Sequence, residues 1–186
     1  MEAIKKIELS KIAKIILVAM LGTLLLTISA KIKIPFYPVP MTMQTFIVLF
    51  LGITLGPKIG LLTVSLYLFE GIFGLPVFAG TPEKGIGLVY FTGPTMGYLI
   101  GFLVAVYFAG SFKYDKGSIN TFLKLIFSVS FIYILGLIWL GTLIGWDKPI
   151  FKLGAEPFLL AELFKMLLLL FLIPILLKAK KLIKIT

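Results

Sequence analysis

Residues 75–102, LPVFAGTPEKGIGLVYFTGPTMGYLIGF, hold the turn around which the rest of the chain is organised. An apolar run ends at Leu75–Phe78. A stretch rich in turn residues follows (Gly80, Pro82, Gly85, Gly87), and Gly93-Pro94-Thr95 then opens a new apolar segment. Proline suits the first helical position, where its missing N–H leaves no bond unmade, so a helix is predicted from Pro94. A helix start presents unpaired backbone N–H groups and the positive end of the dipole, which suits an anionic or carbonyl-bearing ligand. The same pattern fits an ordinary helix–loop–helix connection, and the flanks decide between the two.

Outward from this stretch the chain is apolar almost throughout. Of 186 residues, 60% are hydrophobic, against roughly 45–50% in soluble domains, and the mean hydropathy is +1.11. A soluble core of this length could not bury so much. The sequence therefore predicts an all-α integral membrane protein, one membrane domain over 1–186. There is room for six transmembrane helices of about 20 residues, at approximately 12–32, 42–56, 59–78, 94–112, 121–145 and 157–177. The net charge of +10 comes from lysine, with no arginine. With the N-terminus inside, twelve lysines fall on the cytoplasmic side and five outside. This asymmetry predicts cytoplasmic N- and C-termini in the cell membrane. It also places the 75–102 stretch, the proline-rich segment 33–41 and the start of the last span on one outer face. No basic run is interleaved with aromatics, so the charge reads as topology and not as nucleic-acid binding. The absence of Cys and His excludes disulfides, thiol nucleophiles, imidazole bases and Cys/His zinc sites. The N-terminal apolar run has no convincing cleavage site and is read as retained.

Several local patterns carry specific expectations. Ala19, Thr23, Thr27 and Ala30 share one helical face, and small residues there allow close helix approach, either inside this protein or to a separate one. Pro35, Pro38 and Pro40 favour an extended segment, too apolar for a solvated loop and expected to fold over the bundle. Gln44 follows at a helix start. Gly56-Pro57-Lys58-Ile59-Gly60 reads as a tight turn. Glu70 faces either the bundle interior or the interface. Gly93, Gly97 and Gly101 form successive small-xxx-small steps for helix packing. Glu162 and Lys165, three residues apart, share a helix face at roughly 7 Å beyond Pro157. Charges at such depth are costly unless paired or hydrated, so the pair is either a ligand site or a structural or snorkelling pair. With Gln44 and helix-start N–H groups near Gly93–Thr95 they could hold a polar head group. Phe36, Tyr37, Phe78, Tyr90, Phe91 and Trp146 would supply apolar walls. No phosphate-binding loop is present, so active transport would need a separate ATPase.

PVPMTMQTF (38–46), LGPKIG (55–60), GLPVFAG (74–80), GPTMGYLIGF (93–102) and PFLLAELFK (157–165) together resemble the BioY family, the biotin-specific S components of energy-coupling factor (ECF) transporters. The resemblance runs from about Ile34 to Met166. It implies an ECF S-component fold, high-affinity capture of biotin from outside, and delivery through a transmembrane coupling protein and two ABC-type ATPases. It implies no cofactor, no metal and no catalytic residue. Carried over by position, Glu162 and Lys165 match the acidic residue and lysine of the family's last-helix motif, and Ala19 and Thr23 its helix-1 docking motif; Gly93, Thr95, Tyr98, Gln44, Gly80 and Tyr90 are the further expected substrate contacts. The family more typically has Asp at the position of Glu162, often has Gly at that of Met96, and has Ala at that of Thr23. The competing readings are an S component for another vitamin, thiamine or riboflavin, an intramembrane enzyme using Glu162 and Lys165 as acid and base, and a structural or assembly protein.

Overall fold

A computed structural model describes residues 2–35, 41–114 and 119–183. Phe36, Tyr37, Pro38 and Pro40 lie outside the described residues, as do Asp115 and Lys116. The order of elements is α1 (Glu2–Lys31), β1 (Lys33–Ile34), β2 (Met41–Thr42), α2 (Gln44–Ile72), α3 (Leu88–Phe91), α4 (Met96–Ser111), α5 (Ile119–Ile144), α6 (Ile150–Gly154) and α7 (Glu156–Ile183). Among the described residues, four stretches are long and apolar enough to cross a membrane: Lys11–Lys31, Gln44–Ile72, Ile119–Ile144 and Glu156–Lys178. Met96–Ser111 is apolar but shorter. The protein is mostly helical, and the multi-pass membrane class is borne out.

α2 is not one rod. Gly56 sits at φ +77°, ψ 175°, a backbone conformation that L side chains rarely adopt. Pro57 follows, suited to open a helix. The chain reverses there. A Cβ built on Gly60 would lie 3.4 Å from the Cα of Gly52, and Gln44 hydrogen-bonds Tyr67, 23 positions along, at 2.9 Å. A straight helix would separate those two residues by about 35 Å. The arms 44–55 and 57–72 are therefore antiparallel, as the Gly56-Pro57 turn predicts.

Glycines set the helix spacing. Gly97 lies against Leu135, Gly136 and Trp139 of α5, and a Cβ on Gly101 would stand 2.6 Å from the Ile132 Cα. The small-xxx-small face of α4 thus packs on α5. A Cβ on Gly110 would stand 2.6 Å from the carbonyl carbon of Gly56, which brings the end of α4 to the α2 reversal. α1 packs on the second arm of α2, with Gly22 against Thr63.

Some expected boundaries move. The helix predicted from Pro94 begins at Met96 with Thr95 at its cap, because the short helix Leu88–Phe91 runs into turns at 92–95. The span expected over 59–78 ends at Ile72, where the chain leaves the helix through Gly74 at φ +92°. The proline-rich segment is flanked by a two-residue antiparallel ladder, Lys33 against Thr42 and Ile34 against Met41. That is a minor strand element in a chain expected to be all helix.

The connections sort to two ends. One end gathers the end of α1, β1 and β2, the start of α2, the 73–95 segment, the start of α4, the end of α5, α6 and the start of α7. The contacts that fix this are Lys31 to Thr81, Tyr98 to Gly154, Trp139 to Gly93 and Thr45 to Glu162. The α2 reversal and the α4–α5 connection lie at the other end, where Lys124 reaches the Lys113 carbonyl.

Candidate functional site

Glu162 and Lys165 stand about 9 Å and more along α7 from Glu156, at ~1.5 Å per residue. They are 4% and 5% exposed, and Nζ approaches Oε1 at 2.8 Å. Thr45, in the first turn of α2, closes a triangle. Its hydroxyl donates to Glu162 Oε1 at 2.9 Å and accepts from Lys165 Nζ at 3.0 Å. The remaining capacity can be counted. The hydroxyl has used its donor, and the ammonium has committed two of its three N–H groups. Glu162 Oε2 is buried with no hydrogen-bond partner among the described residues. A buried acceptor left in that condition costs about 1–3 kcal/mol, more when charged. The triangle thus offers one carboxylate acceptor and one ammonium donor to a ligand that presents a donor and an acceptor close together.

These groups open into a cavity of about 350 Å³, within the roughly 300–1,000 Å³ usual for small-molecule sites. Phe102, Ile132, Leu140 and Phe158 supply apolar wall. Thr42, Thr95 and Tyr133 add hydroxyls, and the Tyr133 hydroxyl of α5 neighbours the Glu162 carboxylate as a hydrogen-bonding group without the geometry of a bond to Oε2. The cavity is therefore largely apolar with a charged, hydrogen-bonded pair at one place, and its walls come from β2, α2, the 73–95 segment, α4, α5, α6 and α7.

The expected site residues divide. Glu162, Lys165, Gln44, Thr95 and Tyr98 line the cavity. The Gln44 amide donates to Tyr67 at 2.9 Å and its oxygen accepts from Thr42 at 3.2 Å. The Tyr98 hydroxyl donates to the Gly154 carbonyl at 2.8 Å, and its ring lies on Gly136. Gly93, Gly80 and Tyr90 do not line the cavity. The free N–H expected at Gly93 is not free: it donates to the Tyr90 carbonyl at 3.2 Å, and the Gly93 carbonyl accepts from the Trp139 indole at 2.8 Å. Gly80 makes a turn at φ +78°, its carbonyl accepting from the Lys84 N–H at 2.8 Å. Tyr90 stacks on Phe78 with centroids 4.8 Å apart and donates to the Ala79 carbonyl at 2.8 Å. Burial pushes its phenol up, keeping it a neutral donor. Ala79, beside both, is the residue of the Phe78–Thr81 turn that reaches the cavity. Of the expected apolar walls, Phe78 is core and Trp146 is 63% exposed.

Ala19 and Thr23, expected from the sequence as a docking pair, are packed inside this chain. They are 1% and 4% exposed, and the Thr23 hydroxyl donates to Glu70 of α2 at 2.9 Å. Their small size serves α1–α2 packing within the chain. Glu70 faces α1 and is half-buried.

Thr45 and Tyr133 were not legible as site residues. Thr45 carried one signal, a hydroxyl beside Gln44 at the start of an apolar helix. Tyr133 carried none, because a lone tyrosine in an apolar span reads equally well as core.

A sequence profile of the BioY family matches residues 3–182. A probable biotin transporter BioY of Pyrococcus horikoshii is 35% identical over 153 residues, covering 82% of this chain and 90% of its own. The biotin transporter BioY of Thermotoga maritima is 36% identical over 145 residues, covering 77% and 84%. The crystal structure of the S-component for biotin from an ECF-type ABC transporter superposes with a TM-score of 0.69 at 24% identity, over 93% of this chain and 92% of that one. The last similarity is one of fold.

Proposed function

This chain belongs to the BioY family, and from that premise we propose that it is the biotin-binding S component of an ECF-type uptake transporter, with Glu162, Lys165 and Thr45 as the polar heart of its substrate site. The observation that carries the assignment to this cavity is the unpartnered Glu162 Oε2 beside a partly committed Lys165 ammonium. Biotin is chemically matched to it. Its ureido ring has two N–H donors and a carbonyl acceptor on one rigid cycle, and its thiophane and valerate chain are apolar. Glu162 Oε2 accepts from a ureido N–H. The remaining Lys165 N–H donates to a ligand oxygen. Phe102, Ile132 and Phe158 cover the ring and chain.

The chain acts as a binding subunit and not as an enzyme. With no phosphate-binding loop of its own, it works with an energising module, a transmembrane coupling protein and two ABC-type ATPases. The bundle spans the cell membrane as six helices: α1, the two arms of α2, α4, α5 and α7. Both termini are cytoplasmic and the cavity end faces out. The lysine asymmetry and the gathering of every cavity wall at one end support this orientation.

The test is equilibrium binding of biotin to the purified, ligand-stripped protein in detergent, with thiamine and riboflavin as competitors. Tight binding displaced only by biotin is expected. Displacement by thiamine or riboflavin would move the assignment to another vitamin, and no binding by folded protein would remove it.

A further inference from the structure

Among the described residues none from α1 lines the cavity, yet the last residue of α1 reaches its wall. The Lys31 ammonium donates to the Phe78 carbonyl at 3.1 Å, the Thr81 carbonyl at 2.7 Å and the Thr81 hydroxyl at 2.8 Å. Three donors thus meet three acceptors within one short turn. Thr81 is itself buried, and its hydroxyl donates to the Phe78 carbonyl at 2.7 Å. Between these anchors sits Ala79, the cavity-lining residue of the turn. From inside, the segment is held by Tyr67 on the Val77 carbonyl at 3.0 Å and by Tyr90 on the Ala79 carbonyl. The inner anchors belong to the packed aromatic cluster around Phe78. The outer anchor is one side chain at the exposed end of α1.

We propose that Lys31 is a latch: a positioning residue that ties the end of α1 to the Phe78–Thr81 turn, holds the Ala79 wall against the cavity, and sets how long the bound ligand stays. The residence-time part rests on the cavity being the biotin site. The positional part does not. Removing the ammonium takes the donor from the Thr81 carbonyl, leaves the Phe78 carbonyl held only from within the turn by the Thr81 hydroxyl and N–H, and so unties the turn from α1, while the inner tyrosine anchors keep the fold. Ligand then leaves faster, and the Glu162–Lys165–Thr45 triangle that recognises it is untouched.

The experiment uses the full chain in detergent and compares the parent with Lys31→Met, which keeps the apolar stem, and Lys31→Arg, which keeps donors. In ligand-free protein, hydrogen exchange is read at the Thr81, Lys84 and Gly85 amides, whose bonds close the turn, with α5 amides as the control for folding. Lys31→Met is expected to speed exchange at the turn by about tenfold, the scale of one charge-assisted hydrogen bond, with α5 unchanged. It is also expected to raise the biotin dissociation rate by about tenfold while association stays within about twofold, with Lys31→Arg returning both toward the parent. Unchanged turn exchange in folded Lys31→Met overturns the latch whether or not biotin binds. Faster turn exchange with an unchanged dissociation rate overturns its control of residence time. Failure of the parent to bind biotin defeats the functional reading alone, and the exchange measurement still decides the latch.

Discussion

Thr45 is one hydroxyl, but it decides which carboxylate oxygen of Glu162 faces the cavity. By donating to Oε1 while accepting from Lys165 it commits one oxygen and leaves Oε2 for a ligand. Removing either charged partner strands the other in a buried site, which costs about 3–5 kcal/mol. Glu162→Gln and Lys165→Met are therefore each expected to weaken biotin binding at least 100-fold by equilibrium titration, while the melting temperature of the ligand-free protein shows that both fold. Parent-like binding by both variants would place the substrate elsewhere. Thr45→Val keeps the shape and removes the bridge, and about a tenfold loss is expected, the scale of one hydrogen bond. The charged pair was legible because charges in an apolar helix three residues apart have few explanations. The third corner was not, because its partners are supplied by tertiary structure from a distant helix. Gly93 opens a recognisable motif and Tyr90 lies just before it, but their polar groups are spent on each other and on Trp139 and Ala79.

At the level of elements, two kinds of glycine do different work. Gly56 supplies a backbone conformation, with open space where a Cβ would stand, so Gly56→Ala is expected to lose only the ~1–3 kcal/mol of strain in a region essentially reserved for glycine. Gly101 supplies clearance, since a side chain there meets the α5 backbone at Ile132. Gly101→Leu is expected to push α4 from α5 and to cost about 1–3 kcal/mol or more. It should also weaken biotin binding, because Tyr98 and Phe102 of α4 face Ile132 and Tyr133 of α5 across the cavity. Thermal unfolding in detergent with and without biotin separates the two: Gly56→Ala should retain the ligand-induced stabilisation and Gly101→Leu should not. The long helices and the Gly56-Pro57 reversal were readable from apolar run length and turn chemistry. The short helices α3 and α6 were not, because four or five residues give no periodicity to read and their helicity is set by what they pack against.

For the molecule as a whole, the absence of cysteine makes orientation directly measurable. Single replacements Lys84→Cys, Lys58→Cys and Lys113→Cys all fall at exposed positions. A membrane-impermeant maleimide applied to intact cells is expected to label position 84 alone, with 58 and 113 labelled only after permeabilisation. Labelling of 58 or 113 from outside would break the six-span orientation. The two ends of the bundle also differ in what they require of the chain in time. Thr45 and Glu162 are 117 positions apart, so during synthesis the recognition triangle has no existence until the last helix has left the ribosome and entered the bilayer. A nascent chain that stops short of α7 lacks Glu162 and Lys165 and with them the proposed site. On the proposed site, substrate binding thus reports that α7 has docked on α2, and a subunit that stalls before α7 is expected not to compete for substrate.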